Sequence, residues 1–163
     1  DPDSPRELAV AATVEASLDL LTVDQRRRYA ELSIFPPETP IPLRRAAQLW
    51  QLTAGLDFDN ARDFVTGRLE PLALLDYDGG SFTLRMHDVL RGYLYPTLPD
   101  RAALHGRLAD RWTGHSLSGD SYAWRWLAFH RAWAARTSPQ PARMVGVALG
   151  ARGADDRRRV GCR

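Results

Sequence analysis

Lysine is absent: all 22 basic residues of this 163-residue chain are arginine. That removes the amine a P-loop sets on nucleotide phosphates and the amine Schiff-base chemistry needs, so the chain cannot hydrolyse a nucleotide by that route alone. Cysteine is nearly absent too. The single Cys162 excludes an internal disulfide framework and a cysteine-based zinc site, and it suits a reducing compartment. No apolar run approaches the ~20 residues of a membrane span and no start resembles a secretion signal, so cytoplasmic residence is expected. A net charge of +2 is too small to argue for a nucleic-acid partner, and much of it sits in Arg157-Arg158-Arg159. The chain opens on Asp1 rather than Met, which leads to the expectation of a fragment or processed product whose partners lie elsewhere.

What is present is the composition of an ordinary globular protein, 44% hydrophobic and 26% charged. The length favours one domain but also accommodates two modules that share a core. After the polar lead Asp1-Pro2-Asp3-Ser4-Pro5, a helical apolar face reads Leu8, Ala11, Val14, Leu18, Leu21. Thr22 and Gln25 have capping-box spacing, predicting a second helix from Val23 to about Ser33, with Tyr29, Leu32 and Ile34 or Phe35 inward. Pro36-Pro37 stops it, and Pro40 and Pro42 keep the linker extended. Further helices are predicted over Leu43 to Leu52 and, capped by Asp57 or Asp59, through Phe58, Ala61, Phe64 or Val65 and Leu69 until Pro71. Beyond Pro96 and Pro99 come Asp100 to Trp112, with Leu104, Leu108 and Trp112 on one side, and a helix capped by Asp120 or Ser121 running to about Ala135.

Between these helices lies a hairpin. Leu74-Leu75-Asp76-Tyr77, the turn Asp78-Gly79-Gly80 and the return Ser81 to Met86 predict two strands, with Phe82, Leu84 and Met86 on one face. The return strand leads through Met86-His87-Asp88 into a helix from His87 to about Tyr95. One imidazole is thereby presented at a strand-to-helix junction, where free backbone N–H groups and a charge-assisted bond from histidine can hold an anion. Three helices followed by a two-stranded wing describe a winged helix, a helix-turn-helix variant.

Leu18-x-x-Leu21, Tyr29, Leu32-Ser33-Ile34-Phe35-Pro36, Ile41, Leu49-Trp50, Leu69-x-x-Leu72-x-Leu74-Leu75 and Met86-His87-Asp88 together resemble the winged-helix region of NB-ARC proteins. These are the signal-transducing ATPases of the apoptotic protease-activating-factor and plant resistance-protein type. Leu104-His105, Leu108, Trp112, Tyr122-Ala123-Trp124 and Leu127-Ala128-Phe129-His130 resemble the helical domain that follows in animal and bacterial members. The resemblance implies a regulatory part. In that family the P-loop and the magnesium-binding strand lie N-terminal to the winged helix, and the histidine of the Met-His-Asp motif contacts the β-phosphate of ADP. Carried over, His87 takes that role, with Met86 packed inward and Asp88 fixing the turn. ADP or ATP is then a cofactor only together with an upstream P-loop domain. The implied partners are that nucleotide-binding domain and a downstream sensor such as WD repeats, with neither nucleic acid nor membrane among them.

A winged helix also raises the alternative of a DNA-binding transcriptional regulator. Its recognition helix would carry Asp57, Asp59, Asp63 and Glu70 against Arg62 and Arg68, and the wing adds Asp76 and Asp78, an acidic surface where phosphates need cations. Arg26-Arg27-Arg28 and Arg44-Arg45 would serve DNA only by facing the groove together; such runs are more often a solvated helix face. An enzyme reading has one handle, Gly114-His115-Ser116-Leu117-Ser118, which lacks the second glycine and the preceding strand of a nucleophile elbow. His105, His115 and His130 read as structural, His130 through a bond to a neighbouring helix. The stripe Tyr122, Trp126, Phe129, Trp133 reads as packing, with Trp124 pointing away.

The expectation is therefore a mainly α chain. Residues 1–97 form a winged helix with the Met-His-Asp motif, 98–136 a small helical module, and 137–163 an atypical, poorly ordered tail. The tail's abrupt loss of helical period leads to the expectation of a truncation or a shifted reading frame, which a helical continuation in another frame of the coding DNA would support. No catalytic residue and no metal-ligand set is expected.

Overall fold

In the computed structural model of the chain, which describes residues 14–114 and 120–136, the capping box expected at Thr22 is formed. The Thr22 hydroxyl accepts from the Gln25 N–H at 3.2 Å, and the Gln25 side chain accepts from the Thr22 N–H at 3.0 Å. Two donors that no helical carbonyl reaches are thus satisfied. The helix they open, α1 (Val23–Glu31), tightens into a 3-10 turn at Leu32–Ile34. Tyr29, Leu32, Ile34 and Phe35 are all buried, so where helical spacing left Ile34 or Phe35 as alternatives, the tighter winding takes both inward.

Asp57 caps α3 (Phe58–Phe64), which follows α2 (Leu43–Ala54) after a left-handed Gly55 at φ +69. Glycine takes that conformation without a Cβ clash, which closes α2 cleanly. α3 passes into a π turn at Val65–Leu69. Phe64 and Val65 both point inward, again resolving an either-or in the spacing, and regular helix ends before the Pro71 that was expected to stop it.

The wing is β2 (Leu75–Asp78) and β3 (Thr83–Met86). A third strand, β1 (Ile41–Pro42), pairs with β3, giving the antiparallel order β1-β3-β2. The hairpin was legible; β1 lies in the segment expected only to be extended, and prolines fit an edge strand because no ladder partner needs their missing N–H. Phe82 corrects another expectation. Asp78 pairs with Thr83, so residues 79–82 form the loop; Phe82 lies there at φ +52 and is 51% exposed, while Leu84 and Met86 are buried. The Phe82 carbonyl accepts from the Leu43 N–H at 2.8 Å and ties the wing to the start of α2.

α4 (Asp88–Leu94) leads through a 3-10 turn, Tyr95–Thr97, into α5 (Arg101–Thr113) and, after Asp120, α6 (Ser121–Ala134). The architecture is a winged helix followed by a small helical module. One apolar core runs through both, from Leu18 and Trp50 to Trp112 and Ala123. Trp50 donates to the Arg28 carbonyl at 2.8 Å and Tyr29 to that of Leu74 at 2.6 Å, so these large side chains enter the core with their polar ends satisfied.

The arginine runs are solvated only in part, Arg27 and Arg44 being exposed. Arg26 pairs with Glu15 at 2.9 Å, Arg28 is buried 3.2 Å from Glu31, and Arg45 is buried in an ion pair with Asp120. The tail 137–163, the serine segment around Ser116, and Leu8 and Ala11 of the first apolar face lie outside the described residues.

Candidate functional site

His87 occupies the N-cap position of α4 with φ −66 and ψ 139, yet its side chain makes no capping bond. The ring is half exposed and points along the outer face of the wing. Alternation places Arg85 and His87 on that face, and the register sets Asp76 opposite Arg85, making Asp76 the diagonal neighbour of His87. The Asp76 carboxylate lies 3.9 Å from His87 Nε2. At that distance it makes no hydrogen bond to the ring.

The residues on either side of the imidazole are held. Met86 is buried with Leu84 beneath the sheet. Asp88 accepts from the Glu38 N–H at 3.3 Å, linking the start of α4 to the 36–40 segment. Arg91 donates to the Phe35 carbonyl at 3.0 Å, and Leu90 and Leu94 are buried. A side chain on a fixed backbone loses less entropy on meeting a ligand than one on a mobile loop. With α4 only 7 residues long, the imidazole rather than the helix field is the group able to favour an anion there. Val89 and Tyr93, four residues apart, remain 64% and 37% exposed on the same helix, so apolar surface adjoins the histidine.

Beside this strand the wing holds a groove of about 410 Å³ lined by Pro40, Asp76, Tyr77, Asp78, Thr83 and Arg85. Donors from the Ser81 hydroxyl and the Gly80 N–H hold the Asp78 carboxyl below its usual range. That wing is acidic. α3 and the turn after it match: Asp57, Asp59, Asp63 and Glu70 are exposed, and Arg62 lies 3.4 Å from Asp59 and 3.7 Å from Asp63. The surface a winged helix would turn to DNA thus repels phosphate.

Among the described residues no group of His, Cys, Asp and Glu is arranged to hold a metal ion, and no helix is long and apolar enough to cross a membrane. His105 and His130 stand away from His87, buried between α5 and α6. The expectation that His130 bonds a neighbouring helix holds, and its partner is His105. Asp76 was not singled out in sequence as a neighbour of His87, although hairpin register would have indicated it. Val89 and Tyr93 were also missed, because an exposed apolar pair carries no signature until burial is known. No protein-family model matches the chain, and no curated protein matches it.

Proposed function

We propose that this chain is the regulatory portion of an NB-ARC-type nucleotide-dependent switch. His87 reaches the β-phosphate of ADP bound to a P-loop domain of the same parent protein and so favours the closed state. The observation that carries the reading is the half-exposed imidazole at the N-cap of α4, left free of any capping duty. Support comes from its order in the chain, after a winged helix and directly following a buried methionine, and from the apolar Val89 and Tyr93 beside it, which suit docking against another domain.

His87 is half of such a site; the other half is the P-loop. In this reading the chain has no catalytic residue of its own, and ADP or ATP enters only with the nucleotide domain. A histidine–phosphate bond present only when closed shifts the equilibrium by its own free energy, about 1.5 to 3 kcal/mol for a charged partner. The helical module then relays that state to sensor or effector parts.

In the parent protein, His87→Ala should speed ADP release by about tenfold to a hundredfold. An unchanged off-rate removes the latch. The alternative, a DNA-binding regulator, draws on the winged helix alone and has the acidic α3 against it; tight, salt-sensitive binding of duplex DNA would reverse that preference.

A further inference from the structure

α6 reads SYAWRWLAFHRAWA and contains no acidic residue. Its inner side closes on α5 through Ala123 and His130, with Phe129 and Trp133 against the His105 ring. Its outer side is led by Trp124, 67% exposed. Ala128, Arg131 and Ala135 follow at steps of four and three, all exposed, with Arg125 alongside. A single indole is thus left in water at the head of a low ridge, with Arg125 as the cation beside it.

The charge is asymmetric along the chain. Residues 14–100 hold nine arginines against thirteen carboxylates, whereas residues 101–136 hold six arginines against two aspartates. Both aspartates are engaged, Asp110 with Arg131 at 2.7 Å and Asp120 with Arg45 and Arg44. The helical module therefore carries net positive charge, and the cation beside Trp124 is the exposed Arg125.

We infer that the outer face of α6 docks a partner protein's helix whose apolar ridge is flanked by carboxylates. Trp124 supplies the anchor, since buried tryptophans dominate the energetics of small interfaces. Arg125 supplies complementary charge, and the alanines allow close approach of a second helix. A lipid surface fits less well. Interfacial helices bury several large apolar side chains along one face, but Phe129 and Trp133 are turned toward α5 and leave Trp124 without aromatic company outside. This surface is distinct from His87, so the docking stands or falls independently of the nucleotide reading.

The test uses the whole chain and dye-labelled helical peptides in which a leucine ridge is flanked by glutamates or, in a matched control, by arginines. Fluorescence anisotropy should give saturable binding of the glutamate peptide only, weakened at least about tenfold by Trp124→Ala and by Arg125→Glu and reduced by salt. Leu20→Ala, which alters an apolar side chain equally exposed at 67%, should leave the affinity unchanged. Thermal melts establish that each variant folds. Equal binding of both peptides, no binding at about 100 µM, or full affinity in Trp124→Ala overturns the proposal. So does Trp124-dependent binding to phosphatidylserine vesicles in place of the peptide.

Discussion

His105 and His130 face each other Nδ1 to Nδ1 at 2.8 Å, both fully buried. One ring must donate and the other accept, so the acceptor is bare at Nδ1, and when both imidazoles are neutral they take opposite tautomers. Around them stand Phe35, Tyr95, Trp112, Phe129 and Trp133, and neither Nε2 has a hydrogen-bond partner. Protonating the acceptor ring places two N–H groups head to head, and protonating the donor ring at Nε2 keeps the bond but strands a charge in an aromatic enclosure.

Acid sensitivity follows, with a definite sign. Burial pushes His105 down to about 4, helped by Arg91, and His130 down to about 3, helped by His105. The folded state thus prefers the neutral rings. Their contribution is fully present above the ordinary imidazole value near 6.5 and is lost as pH falls from there toward the folded values. The melting temperature should decline between about pH 6.5 and 4, and Trp112 and Trp133, in ring contact with the pair, should report it by fluorescence. A His105→Phe/His130→Phe variant should lose most of that slope. A flat profile in the native chain contradicts the neutral-pair assignment.

Sequence alone reveals interactions set by neighbours along the chain, and these are the parts that were legible: the Thr22–Gln25 box, caps at Asp57 or Asp59 and at Asp120 or Ser121, of which Asp57 and Asp120 serve, the Gly55 stop, the wing hairpin and the order of helices. What escaped was set by partners far along the chain. Arg45 reads as one of a solvated pair until Asp120 is found against it. β1 needs β3 to become a strand, and Phe82 leaves the ladder because the register makes it a loop residue. At the candidate site, the motif located His87 and Met86, but Asp76 became a neighbour only through cross-strand pairing.

Asp120 joins the two modules. Its carboxylate pairs with buried Arg45 while also capping α6 through the Ala123 N–H at 3.0 Å. Asp120→Asn retains a capping oxygen but leaves the Arg45 guanidinium without its counter-charge. Breaking a buried pair from one side costs about 3 to 5 kcal/mol. Urea unfolding should show a loss of that order, with little added by Asp120→Ala beyond the ~1 kcal/mol of the cap. A loss below about 1 kcal/mol would mean that solvent reaches Arg45 and relieves it.

Ala73 precedes the wing at φ +52 and is exposed. A Cβ in the left-handed region costs about 1 to 2 kcal/mol, and glycine removes that cost while adding about 0.4 to 1 kcal/mol of unfolded-state freedom. No packing is lost at an exposed alanine. Ala73→Gly should therefore raise stability by about 0.5 kcal/mol, read as a higher urea midpoint at unchanged slope. A lower midpoint would show that the backbone relaxes away from positive φ in solution.

Asp76 stands where a phosphate held by His87 would meet it. Its carboxylate lies 3.9 Å from Nε2 and is 71% exposed, so it repels the phosphate. The repulsion is multiplied, because a diphosphate carries more than one negative charge at comparable distance. In the parent protein Asp76→Asn is thus expected to slow ADP release by about two- to fivefold, opposite to His87→Ala. The difference should shrink as salt rises from about 0.05 to about 0.3 M, since both groups are solvent-exposed. Faster release in Asp76→Asn would contradict the repulsion, and an effect that persists in His87→Ala would detach Asp76 from the latch.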